Sequence, residues 1–156
     1  MPGEALLIGI ATIAVVVAGF AAIAPALASD RAAWTIGQRY RLRAIVSTSF
    51  NVTFESLLPA VLFPALDDVR TTLVVASALV FWYALFVIVV RTRQVVRAGM
   101  PWVPWTRFVA ASGITATALF GLNALFFASL TVYALALCLQ LSVAAISFYS
   151  LAATAE

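Results

Sequence analysis

The sequence contains no histidine and no lysine; all nine basic residues are arginine. Without histidine the chain lacks the usual metal ligand, the usual haem ligand and the commonest general base. There is one cysteine, Cys138, within an apolar run. No intramolecular disulfide is possible, and that residue reads as a buried small hydrophobe rather than a reactive thiol. A phosphate loop, a dinucleotide fingerprint and a nucleophile–base pair are also missing. The chain is therefore expected to be neither an enzyme nor the holder of a cofactor or metal.

Charge is the other scarcity. Charged residues make up 10% of the chain and hydrophobic residues 65%, where soluble domains run at about 25% and about 45–50%. Mean hydropathy is +1.11. This composition defines an integral membrane protein with little room for a soluble part. The net charge of +3 would suit a nucleic-acid binder, but the positions of the arginines point to topology instead, and no nucleic-acid partner is expected.

Crossing a bilayer takes about 20 apolar residues in a helix. Ala5 to Ser29 carries no charge and forms a first span. Ala44 to Leu66, interrupted only by Glu55, forms a second, and Thr71 to Val90 a third. Phe108 to Ala155 is charge-free and long enough for two spans, Phe108–Phe127 and Val132–Ala153, with the break near Ala128-Ser129-Leu130-Thr131. An alternative turn at Gly121-Leu122-Asn123 would shorten the fourth helix. The expected fold is all-α, a compact bundle of five transmembrane helices (four being the alternative count), with residues 1–156 as a single transmembrane domain. Ala26-Leu27-Ala28 resembles a signal-peptide cleavage site. The segment before it, however, has Glu4, no basic residue and an overlong apolar run, so it reads as a retained helix.

Arg31, Arg39, Arg41 and Arg43 fall between spans one and two, and Arg91, Arg93, Arg97 and Arg107 between spans three and four. Only Arg70, beside Asp67 and Asp68, falls on the other side. The positive-inside bias then puts the N-terminus outside and the C-terminus in the cytoplasm of a cell-membrane protein. The Arg31–Arg43 segment is expected to run into span two as a helical extension. Gly99 and Pro101 should stop the extension of span three. Trp102 and Trp105 should anchor at headgroup level. Arg39, Arg43, Arg93 and Arg97 are candidates for contact with anionic lipid headgroups.

Small residues mark two helices. Ala14, Ala18 and Ala22 recur every fourth residue in span one, and Gly113, Thr117 and Gly121 do so in span four. Such stripes let helix backbones approach closely. They serve packing within one protomer, or packing of span one against its own copies in a homo-oligomer.

Span two carries the chemistry. Thr48, Asn51, Glu55 and Pro59 share one stripe by spacing. Pro59 has no N–H to return to the Glu55 carbonyl, and Pro64 likewise frees that of Ala60. The expected result is a bent helix with oxygen acceptors open near its middle, the device by which many transporters hold cations. Gln140 and Thr117 lie at matching depth on spans five and four. An ionisable residue in a span is a functional-site candidate, so Glu55, Asn51, Thr48, Gln140 and Thr117 form a candidate ion or proton site. The structural alternative is a hydrogen-bond knot in which neutral Glu55 donates to Gln140 or to a freed carbonyl. Two functions follow: a small homo-oligomeric ion or proton channel or permease, or a non-conducting accessory subunit packed against another membrane protein. With so short a chain, either is expected to need assembly, since one protomer has little protein to enclose a wide aqueous path.

Overall fold

A computed structural model describes residues 1, 3–27, 35–97 and 104–152. Five helices make up the fold: α1 (Glu4–Leu27), α2 (Ile36–Leu66), α3 (Val69–Arg97), α4 (Pro104–Leu122) and α5 (Leu130–Ala152). All five are long and apolar enough to cross a membrane, and there is no strand among the described residues. The protein is a small multi-pass membrane protein.

Local chemistry sets the helix ends. Thr35 and Gln38 form a capping box at the start of α2, the Thr35 hydroxyl accepting from the Gln38 N–H and the Gln38 side chain from the Thr35 N–H. Helix α2 therefore begins well before its apolar stretch and carries Arg39, Arg41 and Arg43 on its first turns, as the expected extension would. It runs for 31 residues, unbroken through Pro59 and Pro64. Asp67 ends it in the left-handed region at φ 49°, its N–H donating to the Phe63 carbonyl. Asp68 then opens α3 by accepting the Thr71 N–H at 2.7 Å. Hydrogen bonds from the Thr71 side chain and backbone hold the Asp68 carboxyl below its usual pKa. Its contribution to the cap is thus complete above the ordinary aspartate value and fades as pH falls through the lowered one.

The break in the long apolar run falls at Ala128 and Ser129, inside the expected window. Helix α4 continues as a π-helical turn, Asn123–Phe127, and Ala128 turns the chain at φ 47°. Asn123 makes this possible. Its carbonyl accepts the Ala128 N–H, its side-chain oxygen accepts the Ser129 N–H at 2.8 Å, and its amide donates to Ser77 on α3 at 2.8 Å. The chain does not turn at Gly121. There a Cβ would sit 2.9 Å from the Phe81 ring, so Gly121 is what lets α4 lie close against α3.

Helices α2, α3, α4 and α5 form a ring, each packed on the next, with α2 and α4 on opposite sides. Helix α1 lies outside the ring against α2 and α5. Its inward face is Leu7, Ile10, Ala11, Ala14, Ala18 and Ala21, all buried, while Leu6, Ile13, Val16, Phe20 and Ile23 are exposed. Ala14 and Ala18 therefore pack inside the protomer, and Ala22 faces outward. The alanine stripe drifts off the contact face because a four-residue repeat exceeds the 3.6-residue turn.

The distribution of polarity is that of a protein dissolved in lipid. Ser49, Glu55, Ser56, Thr72, Ser77, Thr117 and Asn123 are buried, whereas Phe54, Val61, Trp82, Phe86, Leu125 and Phe126 are exposed. Cys138 departs from expectation: it lies on the exposed face of α5, not in the core. Facing lipid, it needs no interior volume to be accommodated. The stops expected at Gly99 and Pro101 lie outside the described residues, as does Trp102; Trp105 is in α4, its side chain undescribed.

Replacing Asn123 with leucine removes two side-chain hydrogen bonds and leaves Ser77 and the Ser129 N–H without those partners. A loss of about 1–3 kcal/mol is expected, measured by reversible unfolding in mixed detergent micelles. Unchanged stability would mean that the turn does not depend on this side chain.

Candidate functional site

Within the ring lies a cavity of about 420 Å³, lined by all four of its helices. Helix α2 contributes Tyr40, Arg41, Ala44, Thr48, Asn51 and Glu55, residues that repeat along one face for about 20 Å at 1.5 Å per residue. The other walls are mainly apolar, with Val87 and Ile88 from α3, Val109, Ala110 and Ile114 from α4, and Val143 from α5. Gly113 belongs to the α4 wall; a Cβ built there meets nothing within 4 Å, so its missing side chain is part of the cavity's width. The cavity begins beside Arg41 and Arg91, toward the arginine-bearing ends of the helices, and reaches inward to Glu55.

All five residues of the candidate ion or proton site, Glu55, Asn51, Thr48, Gln140 and Thr117, line this one cavity. Glu55 is 5% exposed. Gln140 interacts with its carboxyl group, yet Oε2 is buried with no hydrogen-bond partner. Asn51 accepts from the Tyr83 hydroxyl at 2.9 Å. Thr117 donates to its own helix at Gly113 O, 2.8 Å away, so only its acceptor capacity is left for the cavity. Thr48 accepts a 3.5 Å bond from Arg91, whose other terminal nitrogen donates to Ser47. Among the described residues the one ion pair is that of the N-terminal ammonium with Glu4. Neither Glu55 nor Arg91 has a counter-charge there.

The freed backbone oxygen behaves differently from expectation. The Glu55 carbonyl is not open to the cavity: the Tyr133 hydroxyl of α5 donates to it at 2.6 Å. In a lipid-embedded interior an unpaired carbonyl is costly, and a buried tyrosine hydroxyl equally needs a partner. The Tyr133 ring stacks edge-on against Phe120, with centroids 5.2 Å apart at 71°. With Val52, Ala76, Val80 and Leu137 these rings form the main buried core. Glu55 is thus not the partner of its own freed carbonyl, and with Gln140 at its carboxyl group only Oε2 remains available. In the sequence Tyr133 is only a polar tip in a charge-free run, and Arg91 reads as one of the topological arginines. Tyr83 gave no signal beyond an aromatic near the end of a span.

The remaining candidates separate by position. Arg39, Arg43, Arg93 and Arg97 are all exposed. Arg39 and Arg43 border a shallow groove floored by Leu42, Val46 and Phe50, outside the ring. The chain matches no protein family, no curated protein and no solved structure.

Tyr133→Phe should cost about 1–3 kcal/mol by stripping the Glu55 carbonyl of its donor. Pro59→Ala restores a backbone N–H to that carbonyl, so the same substitution in a Pro59→Ala background should cost measurably less. A double-mutant cycle by unfolding in detergent reads the difference, and strict additivity would show that Tyr133 does not serve the proline-freed oxygen.

Proposed function

We propose that the protein is a small ion- or proton-coupled permease in which Glu55 is the ionisable site. The observation that carries this reading is the Glu55 carboxyl at the inner end of a cavity, buried, with one oxygen unpartnered. A carboxyl in that position takes up and gives back a proton or a cation at modest cost in rearrangement, because no protein group competes for that oxygen. Asn51, Gln140 and Thr117 supply polar atoms around it, and Thr48 leads toward the mouth. Release on the opposite side needs the Tyr133–Phe120 plug to part. The π-helical turn at Asn123–Phe127 lies at that end, and single π turns are frequent at functional sites. The polar set lies within one protomer, so the site itself does not need a homo-oligomer to form.

Glu55→Gln keeps size and hydrogen bonding but cannot ionise. In proteoliposomes it is expected to abolish proton or cation flux while the purified variant keeps its fold and elution volume. Flux that persists unaltered in that variant sinks the site assignment. A parent protein that conducts nothing but holds a stoichiometric membrane partner would favour the accessory-subunit reading.

The same proposal sets the protein in the cell membrane with the cavity mouth toward the cytoplasm, on the arginine asymmetry, and gives Arg39, Arg43, Arg93 and Arg97 to anionic headgroups at about 1 kcal/mol each. A C-terminal reporter should then read cytoplasmic, and neutralising those four arginines should weaken retention of phosphatidylglycerol relative to phosphatidylcholine. An external C-terminus would reverse the orientation, and equal retention of both lipids by the parent would remove the lipid contact.

A further inference from the structure

The Arg91 guanidinium and the Glu55 carboxyl face one cavity without touching. Arg91 is held at the level of Ser47 and Thr48 by bonds to both hydroxyls. Glu55 lies seven residues beyond Thr48 on the same face of α2, about 10 Å along the helix axis. No counter-charge among the described residues meets either group, and the carboxyl keeps its unpartnered oxygen. A buried polar atom without a partner is costly, and at this separation Arg91 cannot satisfy the carboxyl directly. On α2 Asn51, bonded to the Tyr83 hydroxyl, lies between them, while the facing helices line the cavity mainly with apolar side chains, Val87, Ile114 and Val143 among them. Its volume of about 420 Å³ falls within the range of about 300–1,000 Å³ usual for small-molecule sites.

Each simple ligand leaves something unpaired. An apolar anion would meet Arg91 but leave Glu55 without a donor. A lipophilic cation would meet Glu55 after passing Arg41 and Arg91 at the mouth. A bare metal ion would find one carboxylate and few oxygens in a largely apolar chamber, where hard cations take six or more oxygen ligands.

We propose that the cavity binds a small extended zwitterion, with its carboxylate or phosphate on Arg91, an apolar middle along Val87, Ile114 and Val143, and its amine on Glu55. The two charged ends act as a ruler, so the separation of the ligand's charges decides affinity. An amine on Glu55 donates to the unpartnered oxygen, and an anion on Arg91 accepts from a guanidinium already oriented by Ser47 and Thr48. The inference deepens the permease reading by naming a substrate class. It rests on that reading only for the consequence that the ligand is carried, since binding stands without transport.

The test is equilibrium dialysis of radiolabelled 8-aminooctanoate against the full chain in neutral detergent. Competitors are the ω-amino acids from β-alanine to 10-aminodecanoate, together with octanoate and octylamine. Saturable binding is expected, with competition strongest for the intermediate members and weaker by about ten-fold or more for β-alanine, octanoate and octylamine. Arg91→Gln and Glu55→Gln should each weaken binding by a similar factor. Because Arg91→Gln also removes the ties to Ser47 and Thr48, Gly113→Leu serves as an independent variant: its Cβ has room, and the added side chain fills the chamber, so binding should be lost with the helical content intact. Absence of saturable binding in the parent overturns the proposal. So does equal competition by octanoate or octylamine, a preference for β-alanine, or binding indifferent to both Glu55→Gln and Gly113→Leu. Binding without flux would retire the permease reading and leave this one standing; flux without binding would do the reverse.

Discussion

The structure turns on one backbone oxygen. Pro59 removes the N–H that would close the helical bond to Glu55, and the hydrocarbon around a membrane helix offers no water to replace it. The hydroxyl of Tyr133 takes that role at 2.6 Å, and the arrangement of the inner half of the ring follows from the reach of that side chain. Helix α5 must lie against α2 at this level, and the tyrosine ring, stacked on Phe120, draws α4 into the same contact. The main buried core is built around these rings.

The two halves of the ring differ in kind. Toward the aspartate loop the ring is filled by Leu73, Ala76, Phe120 and Tyr133, with Asn123 and Ser77 bonded to each other. Toward the arginine ends the side chains are too small, at Ala44, Ala84, Ala110 and Gly113, to meet across the ring. Hydroxyls on the helices are mostly turned back to their own carbonyls, as in Thr53 to Ser49, Ser56 to Val52 and Ser147 to Val143. Such back-bonding removes donors without linking helices. The cavity keeps the side-chain amides of Asn51 and Gln140, an unpartnered carboxyl oxygen on Glu55, and the guanidinium of Arg91 oriented by Ser47 and Thr48.

Because a guanidinium lies toward one end of the chamber and a carboxyl group at the other, its chemistry is directional. On the proposed reading, a ligand entering by the mouth would meet the oriented guanidinium before the carboxyl. A permease built this way would select at the mouth and couple at the inner end, with the Tyr133–Phe120 contact as the barrier between the two sides. The hydrogen bonds of Asn123 across the π-helical turn put the most elaborate backbone of the fold beside that barrier.

Much of this was written into the sequence. Hydrophobic run lengths settle the number of spans, since helix length is tied to bilayer thickness. The break at Ala128 and Ser129 follows from a charge-free run too long for one helix. The stripe Thr48, Asn51, Glu55 was legible because residues on one helix face recur at fixed spacing, and Gln140 and Thr117 could be matched to it by depth alone. Tertiary structure decided the rest. Depth along a span does not say which helices are neighbours, so nothing in the sequence assigned Tyr133 to the Glu55 carbonyl or Arg91 to Ser47 and Thr48. Nor could spacing show that Ala22 leaves the contact face while Ala18 keeps it, or that Gly121 packs on Phe81 while Gly113 opens a chamber. In a bilayer every outward surface is apolar whatever helix it belongs to, so hydrophobic pattern carries little information about rotation. Rotation is set by where the few polar atoms find one another.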